Sequence, residues 1–220
     1  MSLKTKVLTA AAFAALLAST AVQAVTYTVG TGATYRPFEY EAPNKEIVGF
    51  DIDLMKAIAK AQGFDVEFVN TTWSTIFPAL NNGDRDIIMS GITITDKRKE
   101  AVDFSEPYFL AHQLILTSSN LQIKSLKDLE GKLIAVVNAS AGDVGVLQWY
   151  MKQNPDKKFN QCRDPEFQEQ YFGIGVRKGN TQVLNDVNAG LKKVIESGAY
   201  NEVYRKWFGS DAPKLPAFTK

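Results

Sequence analysis

Residues 49–64 read Gly-Phe-Asp-Ile-Asp-Leu-Met-Lys-Ala-Ile-Ala-Lys-Ala-Gln-Gly-Phe, and this stretch decides the fold. Phe50, Leu54, Met55, Ile58 and Ala59 recur at helical spacing on one face, and Gly63 supplies the stop. Asp51 and Asp53 sit where acidic side chains favour the positive end of a helix dipole, which gives them a structural reading. Upstream, Val25–Gly30 (VTYTVG) is alternating and β-branched, as a strand requires, and the polar loop GATYRPFEYE follows it. Downstream, Val66–Val69 reads as a second strand, Trp73–Leu80 as the start of a helix, and Asp86–Ser90 as a short buried strand after a turn at Asn82-Gly83. The order β-α-β-α-β predicts an α/β fold with a mainly parallel sheet wrapped by helices.

The second half repeats that logic with fewer elements. Ala111–Ser118 is strand-like, SLKDLEGK reads as a short helix or turn, and Leu133–Val137 as a strand whose loop, Asn138–Gly142, opens a helix. A polar run, QNPDKKFNQCRDPEF, precedes a strand at Tyr171–Val176. The end is helical, with Val183, Val187, Leu191, Val194 and Ile195 on one face, then Tyr200, Val203, Tyr204, Trp207 and Phe208.

The first 24 residues place Lys4 and Lys6 before an apolar run, Val7–Leu17, and end on small residues, with Val22 and Ala24 spaced for cleavage. This is the pattern of a secretory signal peptide, and the run is shorter than the ~20 apolar residues that a spanning helix needs. Cleavage after Ala24 leaves 196 residues with a net charge of −1, which gives no electrostatic case for nucleic acid or an anionic membrane. A single cysteine, Cys162, and a single histidine, His112, argue against a disulfide, a histidine-thiolate metal site and a Cys-His nucleophile. No cofactor is implied, and His112 reads as an ordinary strand residue.

The chemistry concentrates in Ser90-Gly91-Ile92-Thr93-Ile94-Thr95-Asp96-Lys97-Arg98. The turn follows a strand, carries a glycine that permits close backbone approach, and ends on a guanidinium. Open α/β sheets bind ligands at the carboxyl ends of their strands, where arginine can grip a carboxylate with two parallel hydrogen bonds. An N-cap at Thr95 with Arg98 solvated on the first helical turn fits the spacing equally well. Tyr35 and Trp73 each follow a predicted strand on the same edge and could form aromatic walls around a small solute. Ser140, between a strand and a helix, could hold an anion at the helix N-terminus or simply cap it. Glu39 and Glu41 near this loop could favour a cationic side chain.

Taken in order, Gly49–Leu54, Trp73 with Phe77-Pro78-Ala79-Leu80, Ser90–Arg98, Val102–Tyr108, Gly175–Asn180 and Tyr200–Gly209 resemble the polar amino-acid-binding proteins of ABC importers, the family 3 solute-binding proteins. The resemblance covers nearly the whole chain after Ala24. It implies a two-lobe periplasmic binding fold of type II, in which two α/β lobes joined by crossover strands close over one polar or basic L-amino acid and dock on an inner-membrane permease. Lobe one would comprise residues 25–110 and 177–220 and lobe two residues 111–176, with crossovers near Ala111–Thr117 and Tyr171–Val176. The resemblance makes Arg98 the α-carboxylate clamp, Ser90, Gly91 and Thr93 partners of the ligand's main-chain groups, Tyr35 and Trp73 the side-chain sandwich, and Ser140 a lobe-two contact. It implies a monomeric, non-enzymatic, periplasmic protein.

The chain departs from the family pattern in lobe two. After Val146-Leu147-Gln148 the pattern continues through a helix and a strand ending in the aspartate that pairs with the ligand's α-ammonium. Here the sequence passes directly to Tyr150–Pro155. At least one strand-helix-strand unit, on the order of 30 residues, is expected to be missing. An exported, truncated remnant with weak or no binding is therefore an alternative. A dehydratase on the same scaffold would need a positioned acid or base, which no motif here suggests, and nothing after Trp207 resembles the membrane span of a receptor ectodomain.

Overall fold

The helix read from residues 49–64 is α1, Phe50–Gln62, in a computed structural model that describes residues 24–131 and 144–218. The expected signal segment up to Gln23, the expected strand Leu133–Val137 and Ser140 lie outside the described residues. α1 buries Phe50, Ile52, Leu54, Met55, Ile58 and Ala59, and it ends where Gly63, at φ 90°, donates its N–H to Ala59 O at 2.8 Å. Its start depends on Gly49, at φ 150°, where a Cβ would lie 2.0 Å from Phe38 O. Only glycine fits that approach.

The strands, in chain order, are β1 (Thr26–Thr31), β2 (Thr34–Tyr35), β3 (Glu39–Glu41), β4 (Ile47–Val48), β5 (Asp65–Asn70), β6 (Ile87–Ile88), β7 (Val102–Phe104), β8 (Phe109–Ala111), β9 (Ile115–Ser118), β10 (Phe159–Cys162), β11 (Gln170–Phe172) and β12 (Gly175–Arg177). The main sheet has the order β5-β1-β6-β12-β7. β1 runs parallel to β5 and β6, while β12 runs antiparallel to β6 and β7. The three parallel strands therefore end at one edge, after Thr31, Asn70 and Ile88.

Several boundaries differ from the sequence reading, each for a local reason. The helix expected from Trp73 is α2, Ile76–Asn82, because Thr72 and Thr75 first close a turn through Thr75 N to Thr72 O at 2.9 Å. Trp73 is left in the loop ahead of it. Ala111–Ser118 is two strands with different partners: β8 pairs with β11 (Ala111↔Gln170), whereas β9 pairs with β10 (Ser118↔Phe159). The paired segments joining the main sheet to the rest are thus Phe109–Ala111 and Gln170–Phe172, and the stretch on to Thr117 belongs to another ladder. Tyr171–Val176 likewise divides at Gly173, where a Cβ would meet Ile94 Cγ1 at 2.7 Å, so β11 stays with β8 while Gly175 and Val176 enter the main sheet. His112 falls between strands, with Nδ1 buried and unpaired, and the polar run before Gln170 contains β10.

Helices α3 (Asp96–Ala101), α4 (Val144–Gln153), α5 (Thr181–Glu196) and α6 (Ala199–Phe208), with a single 3-10 turn at Leu126–Leu129 where SLKDLEGK reads as a short helix or turn, complete the described elements. α1, α5 and α6 pack on one face of the sheet around an aromatic cluster centred on Phe50, whose ring lies within 6.4 Å, centroid to centroid, of Phe38, Tyr108, Phe109, Tyr200, Tyr204 and Phe208. α4 docks on this same core. Its Val144 and Val146 are buried, a Cβ on Gly145 would meet Phe38 Cζ at 2.5 Å, and Tyr204 donates its hydroxyl hydrogen to Gln148 Oε1 at 3.1 Å.

Among the described residues the β9–β10 ladder has no third strand, and none of its own residues is fully buried. An isolated two-stranded ladder is marginal in water, and opening it exposes little apolar surface. Its amides should exchange with solvent at least about a hundredfold faster than those of β1 in a hydrogen-exchange measurement on the folded chain. Equal protection in both ladders would contradict this reading.

Candidate functional site

The edge where β1, β5 and β6 end is sewn together by its own loops. Thr71 N donates to Thr31 O at 2.8 Å, Met89 N to Gly30 O at 3.0 Å, and Gly32 N to Ser90 Oγ at 2.9 Å. The segments bearing Tyr35, Trp73 and Ser90–Arg98 therefore leave from a common edge, at the carboxyl ends of parallel strands, where open α/β sheets present ligands.

Each residue of the turn has a defined setting. Ser90 is buried, and its hydroxyl accepts from Gly32 N and donates to Glu39 Oε1 at 2.7 Å. Gly91 has φ 54° and lies under the Tyr35 ring, so that a Cβ would stand 2.9 Å from Tyr35 Cε1. Tyr35 is stacked in turn on Phe38, with centroids 5.1 Å apart. Thr93 is half-buried and bridges to Phe172 in antiparallel fashion.

Of the alternative reading, a Thr95 cap with a solvated Arg98, the structure bears out the first half and not the second. Thr95 caps α3, its side chain accepting from Arg98 N at 3.2 Å. Arg98 is nevertheless not solvated. It is half-buried, Nη1 donates to Thr93 O at 2.8 Å, and the guanidinium carbon lies 5.2 Å from the Trp73 ring centroid and 5.7 Å from that of Phe77. Burial lowers its pKa from the ordinary value, yet arginine remains protonated in proteins. One of its five N–H donors is committed to Thr93 O, and the planar fork stands against an indole that is 49% exposed. An aromatic face beside a partly desolvated guanidinium is suited to a ligand bearing both a carboxylate and an apolar or cationic side chain.

Glu39 does not face an incoming side chain. It is 1% exposed and points beneath the turn at Ser90, whereas Glu41 is exposed at the end of β3. Asp51, also fully buried, accepts from Gly91 N at 2.8 Å and from Tyr108 O–H at 2.9 Å. The sequence reading gave Asp51 to the helix dipole. Asp51 does lie in the first turn of α1, and its Oδ2 in addition binds the Ser90-Gly91 turn; the signal available in sequence was an acid inside the apolar face Phe50–Leu54. Among the described residues, no group of three or more His, Cys, Asp or Glu could hold a metal ion, and no helix is long and apolar enough to cross a membrane. Tyr35, Trp73, Ser90, Gly91, Thr93 and Arg98 are thus brought to one edge.

A parallel-stranded α/β sheet with this aromatic and arginine edge defines a solute-binding architecture. Residues 27–210 match the family of bacterial extracellular solute-binding proteins, family 3, and the chain belongs to it. A probable histidine-binding protein of Neisseria gonorrhoeae is 35% identical over 84% of this chain and 84% of its own length. Among solved structures, the arginine-, lysine-, histidine-binding protein ArtJ of Geobacillus stearothermophilus is 38% identical, covering 86% of this chain and 97% of that one with a TM-score of 0.71. An ancestral amino-acid-binding protein described as a precursor of cyclohexadienyl dehydratase is 36% identical over 83% of this chain and 95% of that one, with a TM-score of 0.67. These neighbours are type II periplasmic amino-acid-binding proteins, and relatives of this chain are binding components of ABC transporters. The alignment with the Neisseria protein runs over 224 positions yet uses 84% of the 220 residues here, about 185, so about 39 of its positions have no residue in this chain.

Proposed function

We propose that this chain is exported to the periplasm, cleaved after Ala24, and acts as a monomeric solute-binding component of an ABC importer that takes a cationic or polar L-amino acid. The observation that carries this is Arg98, held by Thr93 O and flanked by the exposed Trp73 ring at the carboxyl edge of the sheet. In this reading Arg98 clamps the α-carboxylate, Gly91 and Thr93 meet the ligand's main-chain groups, and Tyr35 and Trp73 enclose its side chain. Ser90 contributes by holding the turn, since its hydroxyl is engaged by Gly32 and Glu39. Residues 25–110 and 177–220 form lobe one and residues 111–176 a shortened lobe two, to which Ser140 would add a contact. The relatives named for histidine and arginine support the cationic ligand class. Binding is favoured over dehydration, because Glu39 and Asp51, the acids hydrogen-bonded to the Ser90-Gly91 segment, lie buried behind it rather than at the ligand face.

The aligned positions with no residue here support the reading that a strand-helix-strand unit is absent, and affinity is accordingly weak. A thermal-shift series on residues 25–220 with each of the 20 common amino acids at millimolar concentration tests the assignment. A ligand that binds only the native state must raise stability, by about 2.7 kcal/mol at a hundred times its dissociation constant. Arginine, lysine or histidine is expected to give the largest shift. Arg98→Lys, which keeps the charge but loses the planar fork, should weaken binding about tenfold with the unliganded midpoint unchanged. No shift with any amino acid would refute the proposal.

A further inference from the structure

Beneath the ligand turn lies a group of buried acids that the binding reading leaves without a role. Glu39 comes from β3 and Asp51 from the first turn of α1, and the two buried carboxyls bond to successive residues of the turn, Ser90 and Gly91. Glu39 Oε1 accepts from Ser90 Oγ at 2.7 Å, and Ser90 Oγ accepts from Gly32 N at 2.9 Å. Asp51 Oδ2 accepts from Gly91 N at 2.8 Å and from Tyr108 O–H at 2.9 Å. The remaining oxygens, Glu39 Oε2 and Asp51 Oδ1, are buried and have no donor from any other group. Two ionised carboxylates cannot occupy such a place together, because like charges in contact and away from water repel strongly; a single proton between them removes the repulsion and supplies the absent donor.

We propose that Glu39 and Asp51 are positioning residues that share one proton, and that this proton sets the Ser90-Gly91 turn and so couples solute binding to pH. The claim about ligand affinity rests on the turn being the solute site; the claim about the turn itself does not. The hydrogen-bond pattern assigns the proton. Asp51 receives two donors at Oδ2, which favours its ionised form, whereas Glu39 receives only the Ser90 hydroxyl, so Glu39 is the protonated partner. Burial first, and then the charge of Asp51, push the Glu39 carboxyl well above the usual carboxylate range. Burial also pushes Asp51 up, to about 7, against the opposing pull of Gly91 N–H and Tyr108 O–H. The other titratable groups acting on the site are Tyr108 and Tyr200, whose hydroxyls burial holds well above their ordinary range. Both are acids and neither offers a positive charge.

The sign of the pH dependence follows. Each carboxyl binds its proton more tightly folded than unfolded, so the folded chain holds excess protons between the ordinary carboxylate range and about pH 7. Asp51's share of this stability is full below the unfolded carboxylate value and is lost as pH rises through about 7, and Glu39's share is lost above that, as the second charge forms. At higher pH the second negative charge works against the turn.

The test is a ¹H–¹⁵N titration of the ligand-free chain, residues 25–220, between about pH 5 and pH 9, read at the amides of Gly91 and Gly32. Gly91 donates to Asp51 and Gly32 to the Ser90 hydroxyl that bonds Glu39, so both should move with one shared transition near neutrality. Glu39→Gln and Asp51→Asn keep shape and can each supply the donor permanently, so either should abolish that transition. Gly91 and Gly32 amides that stay flat in folded wild-type chain would overturn the proposal without reference to any variant. A transition that persists in both variants would overturn it equally. Arginine affinity measured alongside separates the two readings. Falling affinity above neutrality, lost in Glu39→Gln, supports the coupling; a titrating turn that binds no amino acid at any pH supports the shared proton and strikes down the solute-site assignment instead.

Discussion

Phe50→Ala is expected to lower the unfolding free energy by about 3 to 5 kcal/mol, the range for deleting a fully buried aromatic ring. Phe50 is 0% exposed and its ring meets those of Phe38, Tyr108, Phe109, Tyr200, Tyr204 and Phe208, which come from the loop before β3, the β7–β8 connection, β8 and α6. These elements are far apart in sequence and are tied to one another by other contacts. Tyr200 O–H donates to Tyr108 O at 2.7 Å, and Phe109 stacks on Tyr204 at 5.8 Å. They cannot easily collapse into the space, so most of the cavity cost should remain. Phe50→Leu keeps much of the volume and should cost less than half as much. Urea unfolding of both variants checks the result, and a loss below about 1 kcal/mol for alanine would show that the cluster closes over the vacancy.

What the sequence disclosed follows from where its signals are local. α1 was legible because a 3.6-residue period with a glycine stop is written within fourteen residues, β1 because it alternates, and β5 because its apolar residues form a short run before a polar loop. The edge carrying Tyr35, Trp73 and Ser90–Arg98 followed from strand order, since parallel strands must end together. The partners of β8 and β9 were not legible. Both segments are equally strand-like, and only pairing with Gln170–Phe172 and Phe159–Cys162 distinguishes them. Glu39 was misread, and the bond from Asp51 to Gly91 missed, for the same reason: twelve residues apart, on a strand and a helix, the two acids come beneath the Ser90-Gly91 turn only in the folded chain. Burial of a charge is a tertiary fact. Likewise nothing in Val144–Gln153 revealed that α4 would dock on the aromatic core rather than stand in a separate sheet.

On the proposed reading that a strand-helix-strand unit is absent, restoring it should raise affinity. Inserting between Gln148 and Trp149 the corresponding strand-helix-strand segment of the Neisseria relative, about 39 residues, is expected to tighten arginine or histidine binding about 10- to 100-fold. Two effects act in the same direction. The family resemblance places in this segment an aspartate that pairs with the ligand's α-ammonium, and a charge-assisted hydrogen bond to a buried group is worth about 1.5 to 3 kcal/mol. It also gives the two-stranded β9–β10 ladder a sheet to join, so that less binding energy is spent on ordering the closing face. The two are separable by replacing the grafted aspartate with asparagine, which should return most of the gain while leaving the slower amide exchange of β9 and β10 in place. Calorimetry on the parent chain sets the reference. If residues 25–220 already bind an amino acid at about micromolar affinity or tighter, with β9 and β10 protected as well as β1, then the shortened lobe is complete as it stands and the graft has nothing to restore.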